Sequence, residues 1–314
     1  MADMKDEISV ALATFNGAPY LPQQLESLRS QTLLPAELVV CDDGSTDDTI
    51  ALLEKFATTA PFPVHIHKNP QRLGYRRNFG KAARNCRGNL ISFCDQDDVW
   101  HPRKLERLVK AFHDPEVLLA YHNARVVRSD GSFIRYQHED DVESAAMAQD
   151  PPSPFRWVYG LLQMFRSTLL QYDDLWAASR DPHQPDEIPA HDQWFYFLAA
   201  VLGRIEYVGE VLLDYRQHGD NLYGAEARTS LAGRLRKRFA HWAVYDQNLG
   251  SVAHDRARIC EELASRAPDK ATRLMGVELQ LPRTSGAIRA KIPDFLRSDR
   301  ASTGERPGNF AAPR

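Results

Sequence analysis

Short, nearly uninterrupted apolar runs at residues 8–13, 37–41, 64–67 and 90–94 alternate with stretches near 19–30, 47–58, 76–86 and 102–112, whose apolar positions recur at helical spacing. A run without polar alternation suits a strand covered on both faces, and strands separated by helices predict an α/β domain with a largely parallel sheet. Residues 117–127 read as a further strand, which Ser129-Asp130-Gly131-Ser132 turns back into Phe133 to Tyr136. The periodicity then stops. Residues 137–155 are acidic and proline-bearing, a composition that fits either a lid or a disordered segment. Globular patterning returns over 156–218 and ends in a strand from Val211 to Gln217, closed by His218 and a Gly219-Asp220-Asn221 turn.

After Gly224 the character changes. Leu231, Leu235, Phe239 and Trp242 fall at helical spacing among Arg234, Arg236, Lys237 and Arg238. Such a basic amphipathic helix suits peripheral contact with an anionic membrane surface, or packing on the preceding domain with its basic side in solvent. The expected organisation is a domain over 1–224, a helical C-terminal region over 225–297, and a disordered tail over 298–314, where Gly, Pro, Ser and Arg dominate.

Composition narrows the classes. A chain of 314 residues with 43% hydrophobic content can bury one sizeable α/β core plus an appendage. The net charge of −3 carries no global basic excess, so no nucleic-acid partner is expected. Cys41, Cys86, Cys94 and Cys260 lack metal-ligand spacing, and Cys41 and Cys94 lie inside apolar runs, as expected in a reducing cytoplasm. No stretch approaches the roughly 18 apolar residues needed to span a bilayer. A soluble cytoplasmic protein is therefore expected, with the basic helices able to hold it at the inner face of the plasma membrane.

The candidate chemistry sits where apolar runs end. The run Leu90 to Cys94 passes directly into Asp95-Gln96-Asp97-Asp98, and carboxylates this crowded call for a cation. Hard oxygen ligands suit Mg²⁺ or Mn²⁺, which in turn bind nucleotide phosphates. The plain alternative is an acidic turn capping the next helix. A second run, Glu37 to Cys41, ends in Asp42-Asp43-Gly44-Ser45. In open α/β sheets ligands bind at the carboxyl ends of strands, so two acidic strand ends point to one site.

Taken with Thr14-Phe15-Asn16-Gly17, Ser30-Gln31-Thr32, the 69–79 loop, His191-Asp192-Gln193-Trp194 and Tyr215-Arg216-Gln217-His218, these motifs closely resemble the inverting family-2 glycosyltransferases. The resemblance covers roughly residues 8 to 220 in order. The Asp-Gln-Asp-Asp and Tyr-Arg-Gln-His-Gly wording is most similar to bacterial transferases of rhamnose and related sugars.

That resemblance implies a GT-A fold: a Rossmann-like mixed sheet with flanking helices, a nucleotide half over about 1–136 and an acceptor half over about 156–224. It implies a nucleoside-diphosphate sugar donor and a glycan or lipid-linked acceptor, in bacterial surface polysaccharide synthesis. Asp95, Asp97 and His218 would ligate Mn²⁺ or Mg²⁺, with Asp98 supporting their loop. Thr14, Phe15, Asn16, Asp43, Arg72, Asp95 and Gln96 would line the nucleotide-sugar site, and Arg76 and Arg77 lie on the same loop. Asp192 would be the catalytic base, with His191 and Trp194 toward the acceptor. Two other readings stay open: a nucleotidyltransferase that makes the nucleotide sugar, and a non-catalytic sugar-binding protein on the same fold. The first lacks its expected glycine-rich basic loop, because Asn16-Gly17-Ala18-Pro19 holds one glycine and no cation.

Overall fold

The computed structural model describes residues 6–138, 157–181, 184, 186–219 and 252–270. Strands β1 (Ile8–Thr14), β2 (Glu37–Asp42), β3 (Val64–Lys68) and β4 (Leu90–Cys94) alternate with helices α1 (Leu21–Arg29), α2 (Thr49–Ala57) and α3 (Tyr75–Asn85). They form a parallel set in the order β3-β2-β1-β4. Val10, Ala11 and Leu12 of β1 are wholly buried, as the unbroken apolar run requires of a strand with helices on both faces. The strand order reverses at β1, which has β2 on one side and β4 on the other, so a crevice opens at the carboxyl ends of β1 and β4.

The second half is mixed. Strand β5 (Val99–Trp100) and helix α4 (Lys104–Leu108) lead into β6 (Val117–Arg128) and β7 (Phe133–Tyr136), then β8 (Gln163–Arg166), α5 (Asp173–Trp176), α6 (His191–Leu202) and β9 (Arg204–Gln217). Strand β8 is antiparallel to both β4 and β6, β9 runs parallel to β6, and β5 pairs antiparallel with β9. Through these pairings His218, just after β9, arrives at the same sheet edge as Asp95. A last helix, α7, covers residues 252–266.

Helix α6 is buried along its whole length, which explains its apolar run Trp194 to Leu202 without a polar stripe. It crosses close to α3. A Cβ on Gly80 of α3 would meet the Trp176 ring at 2.5 Å, so glycine is what lets α5 and α3 approach.

The predicted helix over 102–112 is α4 followed by a 3₁₀ turn from Val109 to His113. The 129–132 turn is present, with Gly131 at φ 83. The basic helix from Leu231 to Trp242, the tail over 298–314, and all of the predicted 137–155 loop beyond residue 138 lie outside the described residues. Among the described residues, no helix is long and apolar enough to cross a membrane.

Candidate active site

A cavity of about 790 Å³ opens at the crevice between β1 and β4. Its nucleotide-side wall is built from tied turns. Thr14 Oγ1 donates to Asp42 at 2.8 Å, and Asp42 accepts the Gly44 and Ser45 N–H groups at 3.1 and 2.8 Å. Gly44 takes φ +85 to close that turn. Asn16, itself at φ 47, accepts the Thr46 N–H at 2.8 Å, which locks the ends of β1 and β2 together.

Gln96 holds Phe15 by its backbone. The carboxamide oxygen accepts the Phe15 N–H at 2.9 Å, and its nitrogen donates to the Phe15 carbonyl at 3.0 Å. A Cβ on Gly17 would lie 2.2 Å from that oxygen, so the Gly17 position admits the clamp. Asp43 accepts N–H groups from Leu73, Gly74 and the Asn69 side chain at 2.7, 2.8 and 2.9 Å. The loop it fixes lays Arg72 over Phe15, with the guanidinium carbon 3.8 Å from the ring centre. Thr14, Phe15, Asn16, Asp43, Arg72, Asp95 and Gln96 all line the cavity. Gln96 and Asp43 face it while also holding its walls.

The neighbouring arginines differ. Arg76 forms an ion pair with Asp181 at 2.7 Å, almost wholly buried in the cavity wall, whereas Arg77 pairs with Glu187 on the surface. Asp181 was not singled out from sequence, because an isolated aspartate before a proline carries no distinguishing signal.

The acidic turn after β4 forms the floor. Asp97 meets His218 Nε2 at 2.9 Å, and the imidazole stacks on Tyr20 with ring centres 4.0 Å apart. Burial, then the charges of Asp97 and Asp192, push the Asp95 carboxyl up to about 8. Asp98 is fully buried and accepts the Arg216 N–H at 3.2 Å, so it braces the turn as expected. Among the described residues no three His, Cys, Asp or Glu side chains stand close enough to hold a metal by themselves. What the turn offers is a carboxylate–imidazole pair beside a carboxyl raised by burial and by its acidic neighbours. These oxygen and nitrogen donors fit Mn²⁺ or Mg²⁺, with further ligands drawn from a phosphate.

Opposite stands Asp192, in the first turn of α6. It is 8% exposed, and its carboxylate accepts the Gln193 N–H at 2.9 Å. Burial raises its pKa to about 7 against the lowering effect of backbone N–H groups from Gln193 and Gly160. The helix cap is Ala190, not Asp192, which leaves the carboxyl facing the cavity. His191 also lines the cavity, stacked on Phe79 with ring centres 4.0 Å apart, and burial lowers its pKa to about 3. It is a neutral imidazole, and neither ring nitrogen finds a partner among the described residues.

Trp194 is a correction. It is 1% exposed and lies parallel to Trp176, with ring centres 6.4 Å apart. One helical step past the cavity-facing Gln193, it points into the core, where it cannot stack on an acceptor sugar. Trp157, Tyr159 and Tyr215 are aromatic residues that do line the cavity.

Residues 9–184, more than half of the chain, match Glycosyl transferase family 2. An uncharacterised glycosyltransferase of Nostoc sp. is 29% identical over 231 residues, spanning 68% of this chain and 66% of its own length. The dTDP-rhamnosyl transferase RfbG of Shigella flexneri is 24% identical, over 68% of this chain and 74% of RfbG. Among solved structures, Staphylococcus aureus TarS in complex with UDP-GlcNAc aligns with a TM-score of 0.54 at 18% identity, over 94% of this chain and 87% of TarS. The Pyrobaculum calidifontis mannosyltransferase PcManGT, in complex with GDP-Man and Mn²⁺, gives 0.54 at 19% identity, over 94% and 81%. At such identity the two structures establish the fold, GT-A, and the sequence match establishes the rest: the chain belongs to the family-2 glycosyltransferases.

Proposed function

We propose that this glycosyltransferase is metal-dependent and inverting, moving a sugar from a nucleoside diphosphate to a hydroxyl of a glycan or lipid-linked acceptor. The observation that carries the reading is one cavity with two unlike ends. Phe15, Arg72 and the acidic turn lie at one end, and a single buried carboxyl poised near neutrality lies at the other.

The base would rest in the cavity beside the stacked Phe15–Arg72 pair, whose guanidinium offers it a flat cationic face. Mn²⁺ or Mg²⁺ held by Asp97 and His218, with Asp95 beside them, would supply the positive charge that a departing diphosphate requires. Asp192 takes the acceptor hydroxyl's proton as that oxygen attacks the anomeric carbon from the face opposite the diphosphate. A pKa of about 7 suits a general base, because near neutral pH about half of the groups are ionised and the carboxylate is still basic. One base suffices, since the diphosphate leaves without needing a proton. His191, neutral and with both buried nitrogens unpartnered among the described residues, stands in the cavity wall next to Asp192. Trp157 and Tyr159 take over the sugar-stacking role that Trp194 cannot fill.

The likeness to RfbG supports a rhamnosyl or similar donor, and with it goes our proposal of a role in surface polysaccharide synthesis at the cytoplasmic face of the membrane. The nucleotide-sugar complexes of TarS and PcManGT support the donor class, and the Mn²⁺ of the latter supports the metal. Thermal-shift titration with dTDP, UDP and GDP tests the reading. One diphosphate is expected to stabilise the protein by about 2.7 kcal/mol at a hundredfold excess over its Kd, with Mn²⁺ present and not without it. No Mn²⁺-dependent shift with any of the three would overturn it.

A further inference from the structure

Lys104, at the start of α4, is 0% exposed. A lysine is almost never buried this completely unless its charge and donors are matched. Its Nζ donates to the Leu161 carbonyl at 2.7 Å and lies 3.6 Å from the centre of the Trp100 ring. Burial lowers its pKa to about 7, opposed by Cys94, Asp98 and Asp95, which surround it from the β4 side. Two residues after Leu161, the Gln163 side chain donates to the Asp192 carbonyl at 3.1 Å. The lysine therefore stands between the acidic turn and the segment that steadies the base. Packing alone does not call for a lysine there, since methionine or leucine would fill the space without the cost of a buried charge.

We infer that Lys104 is a positioning residue for sugar transfer: it fastens the Gly160-Leu161 turn, and through it Asp192, against the acidic turn that follows β4. The inference rests on the proposed reading of Asp192 and the acidic turn as the two ends of one reaction site. Lys104 touches neither substrate. Its role is to set the distance between the groups that do, and errors of this kind fall on turnover rather than on binding.

The test is Lys104→Met in the full chain, which keeps the volume and removes both the charge and the donor. The variant is expected to melt cooperatively, at a temperature lowered by the loss of the donor to the buried Leu161 carbonyl, and to bind nucleoside diphosphate with Mn²⁺ at unchanged affinity. Donor turnover, with water as acceptor if no other is known, should fall by roughly 10- to 100-fold. Amide hydrogen exchange at 160–163 should accelerate while β1 and β2 stay protected. A folded variant with wild-type turnover and unaltered exchange overturns the inference. So does diphosphate affinity that falls in step with turnover, which would make Lys104 a prop of the nucleotide half. If Lys104→Met does not fold, Lys104→Met/Asp98→Asn removes both buried charges and is judged by the same exchange readout; failure of that pair to fold also overturns it. Should the wild-type protein turn over no nucleotide sugar, the reading of the site fails, and exchange at 160–163 still decides the role of Lys104.

Discussion

The Asp97 carboxylate and the His218 imidazole meet at 2.9 Å although 121 positions separate them. Strand pairing brings them together: β5 lies antiparallel to β9, with Val99 opposite Asp214, so the end of β9 is drawn alongside the acidic turn. Beside this contact Asp95 and Asp98 are raised first by burial and then by the Asp97 charge.

Asp97→Ala should therefore abolish Mn²⁺-dependent diphosphate binding without lowering the melting temperature, because it relieves repulsion on two buried carboxyls. Calorimetric titration decides the point. Wild-type affinity in the variant would remove Asp97 from the metal site.

Arg72→Ala should weaken diphosphate affinity by about 0.5–2 kcal/mol, the range for a guanidinium stacked over an aromatic face. Its removal uncovers Phe15 but leaves the Asp43 contacts to the loop backbone in place. The loss should be alike with and without Mn²⁺; a loss seen only with metal would move Arg72 to the diphosphate.

The parallel half of the sheet was readable because each strand's apolar run ends in residues that cannot be buried without partners, such as Asp42 and Asp95. Those strand ends define the site, so they located it as well. The opposite wall was less legible. Trp194 and Asp192 are two positions apart on one helix, and at 3.6 residues per turn one faces the cavity while the other enters the core. The sequence, apolar from Trp194 to Leu202, marks no exposed stripe from which to tell them apart. Lys104 lay in a charged stretch, His101-Pro102-Arg103-Lys104-Leu105-Glu106, and looked like any solvated helix face. Its burial follows from the Leu161 carbonyl, 57 positions away, and nothing local announces that contact.

The placement of Trp194 has its own test. Trp194→Ala should destabilise the fold by roughly 3–5 kcal/mol in denaturant unfolding, as deletion of a buried indole does. Trp157→Ala, at a half-buried ring on the edge of the core, should cost less stability than Trp194→Ala and raise the acceptor KM. Stable Trp194→Ala protein with a raised acceptor KM would return Trp194 to the acceptor site.

Asp192 also makes stability depend on pH. The folded chain holds its proton up to about pH 7, whereas an unfolded aspartate releases it near about 3.9. Between those values the folded state binds more protons, so this contribution is full below the unfolded value and is lost as pH rises through about 7. Asp192→Asn lacks the dependence. Its melting temperature relative to wild type should climb from pH 5 to pH 8, and a fall over that interval would mean that the ionised carboxylate is favoured where it lies.

The same substitution gives the decisive kinetic result. Asparagine keeps the shape and an oxygen for the Gln193 N–H but cannot take a proton, so Asp192→Asn should lower transfer by roughly two to four orders of magnitude, the usual scale of general-base catalysis. Donor and Mn²⁺ affinity should hold or rise slightly, because loss of the Asp192 charge can only ease ionisation of Asp95. The wild-type rate should fall as pH drops below about 7, where Asp192 becomes protonated, and that limb should vanish from the residual activity of the variant. Near-normal transfer by Asp192→Asn would disqualify it as the base. His191 would not replace it readily, since an imidazole held down to about 3 is a weak proton acceptor at neutral pH.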